Sequence, residues 1–316
     1  MSDKSEKSEK LRFAKGTFDK NIDKPNLLRY NCKYFIYFVE TFMNKISLAG
    51  DLGSGKSTIA KILIERLGAE YYSTGAIVRE IAKKHGMTVL ALNEYMETHR
   101  EIDREIDDGL RRLGDDPRAL VIDSRMAWHF TAGTFKVYLS TDPETSALRI
   151  MKEHRVGEHA DTLAATIAET ASRRASEKKR YFELYGVNIK DLTNYDLVVD
   201  TTKATPADIA EAILCAFERK NAGEPYAPLL LSPERIYYED DAPDEEKVHA
   251  LLAAMERGET LPLAEVCEND GEFRLIGGAE SVLAYVLGEE KFLPARLVPV
   301  PEGTEGKTYV RMKDSL

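Results

Sequence analysis

The chain carries no excess of positive charge: 44 lysines and arginines stand against 54 aspartates and glutamates, for a net charge of −10. A general nucleic-acid binder needs a basic surface for its phosphate contacts, so no nucleic-acid partner is expected. Cysteine is scarce. Cys32, Cys215 and Cys267 form neither a disulfide framework nor a metal-ligand spacing, which suits a reducing compartment and makes a cytoplasmic location the expectation. Apolar runs long enough to span a bilayer are missing, and Met1 to Lys10 lacks the apolar centre of a secretory signal, so no membrane partner is expected either. Internal repeats are absent, and Trp128 is the one tryptophan.

Enough apolar residues are present for a core. With 316 residues, 43% of them hydrophobic, the chain can fill one large or two modest domains. Residues 1–42 begin as a Lys/Glu/Ser tail and end in an aromatic stretch, Tyr30 to Phe42. They read as a disordered leader or as a short helix or strand packed on the main domain, with Met43 as an alternative start. From 43 to 220, short apolar runs alternate with helix-period segments. That alternation implies an α/β fold with a parallel five-stranded sheet, helices on both faces, and ligands at the carboxyl ends of the strands. Asn221-Ala222-Gly223-Glu224-Pro225 interrupts the pattern, so 221–231 reads as a linker and 232–316 as a small α+β domain.

Ile46-Ser47-Leu48-Ala49 is a buried strand that runs into Gly50-Asp51-Leu52-Gly53-Ser54-Gly55-Lys56-Ser57-Thr58 and then into a helix with Ile59, Ile62, Leu63 and Leu67 on one face. Glycines let backbone N–H groups approach phosphate oxygens, and a helix N-terminus adds a favourable dipole. This is a nucleoside-triphosphate loop: Gly50, Asp51, Gly53, Ser54, Gly55, Lys56, Ser57 and Thr58 are the candidate ATP-binding residues. Lys56 is expected on the β- and γ-phosphates and Ser57 on Mg²⁺.

Two further strand ends supply an acceptor side. Glu70-Tyr71-Tyr72 leads into Ser73-Thr74-Gly75-Ala76-Ile77-Val78-Arg79, which resembles the acceptor corner of nucleoside monophosphate kinases. The resemblance makes Ser73, Thr74, Gly75 and Arg79 acceptor-binding, with Arg79 gripping the acceptor phosphate. Ala119-Leu120-Val121-Ile122 ends in Asp123-Ser124-Arg125 and an apolar-aromatic run, as in the cytidylate-kinase-like branch, where this arginine contacts the acceptor nucleotide. A guanidinium fork matches phosphate oxygens, so Arg125 is the second acceptor candidate. Asp123 either holds Mg²⁺ through water or only forms the turn, and Trp128 and His129 line a base pocket or pack in the core. Asp103 and Asp107, one helical turn apart in a Glu-Ile-Asp run similar to that of archaeal-type cytidylate kinases, are expected on a charged outer face, with base recognition as the alternative.

Arg173-Arg174-Ala175-Ser176-Glu177-Lys178-Lys179-Arg180-Tyr181 and the following Tyr185 to Leu192 resemble the lid of archaeal-type cytidylate kinases. That likeness places Arg173 and Arg180 over the donor phosphates as catalytic cations beside Lys56 and Arg125. Arg174 stands where the family pattern usually has an acid. The resemblance, continuous from Lys45 to Lys220, implies Mg²⁺-ATP-dependent phosphorylation of a nucleoside monophosphate, with CMP or dCMP first. A kinase for another small acceptor, and a nucleotide-dependent regulatory or binding protein, are the alternatives. Residues 232–316 resemble a ParB/sulfiredoxin-like domain in which only Gly278 of the phosphate box is kept. This implies a degenerate accessory unit for a protein partner or self-association.

Overall fold

The computed structural model describes residues 43–152, 162–239, 243–269, 271–301 and 309–312. The stretch 1–42, read from sequence as a leader, lies outside the described residues. Strand β1 (Lys45–Gly50) is buried at every position, with Ile46 and Leu48 in one core cluster and Ala49 in the other. Such two-sided burial is what a continuous apolar strand needs in a parallel sheet. The other strands of this half are β2 (Glu70–Ser73), β3 (Leu120–Asp123), β4 (Thr134–Ser140) and β5 (Leu197–Asp200). All pair in parallel, in the order β2-β3-β1-β4-β5.

Helix α1 (Lys56–Leu67) buries Ile59, Ala60 and Leu63 against the sheet. Next in the chain are α2 (Thr74–Lys84), α3 (Val89–Thr98), α4 (Arg100–Arg112), the single turn α5 (Ala127–Phe130), α6 (Pro143–Lys152) and the long α7 (Leu163–Tyr185). Helix α8 (Pro206–Asn221) starts with a complete capping box, in which Thr205 and Asp208 satisfy each other's backbone N–H and Pro206 holds the first turn. Its Ile209, Ile213 and Phe217 join the cluster under α1, the inward face that the periodicity predicts. Among the described residues no helix is long and apolar enough to cross a membrane.

The stretch read as a linker is partly structural. Helix α8 runs on through Asn221, and β6 (Leu229–Leu231) pairs in parallel with β5. Three leucines are too few for a period to show, yet Leu229 and Leu231 enter one core cluster while Leu230 packs on the other. The sheet then continues through β7 (Ile236–Glu239), β8 (Ala264–Asn269), β9 (Glu272–Gly277), β10 (Leu293–Leu297) and β11 (Tyr309–Arg311). Among the described residues the strands form one sheet of 11, β11-β7-β9-β8-β10-β6-β5-β4-β1-β3-β2. Helices α9 (Glu245–Glu256) and α10 (Ala279–Leu287) complete the C-terminal part. One cluster of buried side chains runs from Ile122 and Val198 through Leu231 to Phe273 and Leu293, so the core is shared across the position of the expected linker.

Candidate active site

The loop between β1 and α1 closes at the carboxyl end of the sheet. Gly50 sits at φ 142, and a Cβ there would stand 2.4 Å from the Leu139 carbonyl oxygen; Gly53, at φ 68, would meet the Ser146 carbonyl at 2.6 Å. No side chain fits either position, which explains both glycines. The first N–H groups of α1, those of Lys56 and Ser57, have no partner inside the helix and form the anion-facing end. Lys56 reaches back across the loop and donates to the Asp51 carbonyl at 2.6 Å and the Gly50 carbonyl at 3.1 Å.

Arg125 comes to the same spot from the end of β3. Its Nη1 donates to the Gly50 carbonyl at 3.1 Å and pairs with Glu177 of α7 at 3.1 Å, while Trp128 Nε1 holds the Arg125 carbonyl at 2.9 Å. Trp128 itself is core, packed on Tyr195. Burial works against the charge on Arg125, but Glu177, with Tyr181, Tyr138 and Asp51 behind it, together outweigh burial, so its pKa goes up. For Lys56 the balance is the reverse. Burial and then the Arg125 charge bring its ammonium down to about 7, against the pull of Asp123, Asp51 and Glu177.

A triphosphate beside Lys56 would favour its charged form and raise that pKa. Nucleotide binding between about pH 7 and 10 is therefore expected to take up a proton. The same linkage makes affinity fall as pH rises above about 7. Titration calorimetry in two buffers of different ionisation enthalpy measures the uptake directly; equal apparent enthalpies at pH 8 would contradict it.

Asp51 is taken up by the protein itself. Its carboxylate accepts from Tyr138 OH at 2.9 Å and Thr141 N at 3.1 Å, is hydrogen-bonded by Lys190, and pairs with Arg174 at 3.7 Å. Burial alone would raise its pKa, but Lys190 and Arg174, with the bonds from Lys190 and Tyr138, hold it at about 2. Arg174, the departure from the family pattern, is thus the charge partner of the second loop residue. Sequence alone assigns no role to Lys190 or Glu177. The only signal it holds for them is position: Glu177 lies one turn after Arg173 on α7, and Lys190 comes after the same segment.

Strand register brings the residues expected on the acceptor side alongside. Leu48 of β1, Asp123 of β3 and Ser73 of β2 are in line across three parallel strands. Ser73 caps α2 by accepting from Ala76 N at 3.3 Å, and Arg79 Nη1 folds back over Gly75. Asp123 Oδ2 accepts from Tyr71 OH at 3.0 Å. The Ser57 hydroxyl and the Asp123 carboxylate are hard oxygen donors, and one or two such groups plus phosphates are what Mg²⁺ uses in phosphotransferases. The donor set fits that ion.

The two arginines expected in the lid part company. Arg173 lies by Glu177 at 3.5 Å, whereas Arg180 donates to Asp103 of α4 at 3.0 Å, and Tyr185 OH donates to Asp107 at 2.9 Å. Asp103 and Asp107 are therefore not on an outer face: both are buried, 9% and 6% exposed, and they dock α7 on α4. Burial pushes both carboxyls up in pKa. The helical spacing holds, but the many charges on each turn hide which side faces inward.

Residues 45–203 match the model of the cytidylate kinase-like family. The chain belongs to that family. It is a P-loop kinase of the nucleoside monophosphate type, an ATP-using class that typically requires Mg²⁺. It is 35% identical over 191 residues to the cytidylate kinase of Thermoplasma volcanium, a match covering 59% of this chain and 98% of the relative. It is 36% identical over 177 residues to that of Archaeoglobus fulgidus, covering 56% and 96%. A 34% identical match over 179 residues falls in an S-adenosylmethionine-dependent nucleotide dehydratase of Lacinutrix mariniflava, covering 56% of this kinase and 37% of that chain. The two cytidylate kinases are thus spanned almost in full by little more than half of this kinase.

Proposed function

We propose that the protein transfers the γ-phosphoryl group of Mg²⁺-ATP to the 5′-phosphate of CMP or dCMP, giving ADP and the diphosphate. The observation that carries this reading is the in-line register of Leu48, Asp123 and Ser73, which sets the donor loop and the acceptor corner side by side at the same strand ends. Cytidylate kinases as near relatives support the choice of base. Lys56 and the α1 amides hold the donor phosphates, Arg79 and Arg125 orient the acceptor phosphate, and Arg173 and Arg180 shield the transferring group from water. Ser57, with Asp123 through water, would hold Mg²⁺, which when bound offsets charge on the β- and γ-phosphates. In the present geometry Arg180 would have to leave Asp103 to take that role.

Residues 232–316 we read as an accessory unit, degenerate relative to a ParB/sulfiredoxin-like domain, that offers a surface to a protein partner or a second copy. What supports this is Gly278, at φ 95 before α10, without the acid, histidine and arginine of a phosphate box. The scarcity of cysteine, with Cys215 and Cys267 free among the described residues, supports a cytoplasmic setting.

A coupled assay with Mg²⁺-ATP against CMP, dCMP, UMP, AMP, GMP and shikimate, blanked with Lys56→Ala, tests the reaction. Turnover selective for CMP or dCMP is expected. Turnover on UMP or shikimate instead would reassign the acceptor. Tight ATP binding with no turnover on any of them would sink the kinase reading in favour of a nucleotide-dependent regulator.

A further inference from the structure

The residues after the family match reach into the donor half of the site. Arg235, its side chain 7% exposed, precedes β7 and donates through Nη1 to Asp200 Oδ2 at 2.8 Å and to Ser140 Oγ at 3.1 Å, at the ends of β5 and β4. The other oxygen of Asp200 accepts from Thr202 N at 2.9 Å and Thr202 Oγ1 at 2.6 Å. Thr202 Oγ1 in turn accepts from Asp142 N at 3.0 Å, and Asp142 caps α6 through Glu144 N at 3.0 Å. Helix α6 then grips the phosphate-binding loop. Ser146 donates to the Leu52 carbonyl at 2.5 Å, and Arg149 bridges the Thr201 carbonyl at 2.6 Å and the Gly53 carbonyl at 3.4 Å. Arg311 of β11 enters the same run, donating to Asp142 Oδ2 at 3.0 Å.

We propose that Arg235, seconded by Arg311, is a positioning residue for the donor nucleotide: it fixes the Asp200, Thr202 and Asp142 turn, and through α6 the backbone of Leu52 and Gly53. The inference rests on ATP being the donor. Asp200 is 1% exposed, and a carboxylate so deeply buried keeps its geometry only with a cation beside it. Removing that cation frees the carboxylate that orders Thr202 and loosens every contact after it. The acceptor corner on α2 comes after β2, the far edge of the sheet, and shares none of these bonds. The effect is therefore one-sided.

The test uses the full chain. Arg235→Met is expected to weaken Mg²⁺-ATP binding about tenfold by calorimetry and to raise KM for ATP to match, with KM for the acceptor unchanged within twofold. Arg235→Lys should return to within about threefold of wild type. Arg311→Met removes a partner of Asp142, whose side chain is 15% exposed, and should weaken ATP binding a few-fold at an unchanged melting temperature, which keeps the idea open to failure if Arg235→Met does not fold. Unchanged ATP affinity in the folded variants, or an acceptor KM that rises in step with that for ATP, would overturn it. Wild-type protein that binds no Mg²⁺-ATP would instead bring down the donor assignment itself, and this inference with it.

Discussion

Lys56→Ala is expected to lower kcat by roughly 10³-fold, because a positioned cation acting where charge shifts in the transition state is worth that much in a water-poor site. The ammonium already lies at the mouth of the loop, 2.6 and 3.1 Å from two of its carbonyls, so little reorganisation separates it from donor phosphates. Arg125 bonds to one of the same carbonyls, and its charge remains in the variant. ATP binding should therefore weaken far less than turnover, and the kcat loss should dominate. Steady-state rates with the preferred acceptor, set against ATP affinity by calorimetry, measure the two effects. A variant that keeps a tenth of wild-type turnover would remove Lys56 from the chemistry.

Asp51→Ala is expected to cost about 3 kcal/mol of stability, because it strips the shared anion from a buried cluster and leaves cations without it. Lys190 and Arg174 both pair with this carboxylate, and Arg174 Nε is already buried without a hydrogen bond. The pH dependence carries its own sign. The folded-state pKa of Asp51 is depressed from 3.8 to about 2, so its contribution is complete above about pH 4 and is lost as pH falls towards 2. That contribution is worth about 2 kcal/mol. Urea midpoints at pH 7 and pH 3 should therefore converge between wild type and variant as the solution is acidified. Equal midpoints at pH 7 would show that the cluster adds nothing to stability. Loop geometry depends on the same carboxylate, so the variant should also bind ATP more weakly.

These two residues differ in how they could be read. Lys56 is defined by its neighbours in the chain: a glycine-rich run between an apolar strand and an amphipathic helix places its ammonium over the loop whatever else the protein does. The role of Asp51 depends on Lys190, 139 residues away, and on a tyrosine from another strand. Nothing in the spacing around Asp51 points to either. The same contrast separates Arg125, legible at a strand end, from Arg180, whose partner Asp103 is 77 residues distant. Asp103 and Asp107 also have the pattern of a solvated face, since a carboxylate docked on an arginine or tyrosine leaves the same spacing as one facing water.

The alternating strand and helix order, the phosphate-binding loop and the kinase family were all legible in the chain. These rest on consecutive residues, where local geometry and hydrogen bonding dictate the outcome. Tertiary structure alone decided which cation meets which carboxylate, that Leu229–Leu231 extends the sheet, and that Arg235 and Arg311 pair with Asp200 and Asp142. Each of those depends on strand order and on partners brought together by folding. Burial then selects among the many charges of the chain the few that find a counter-ion, and no local period records that selection.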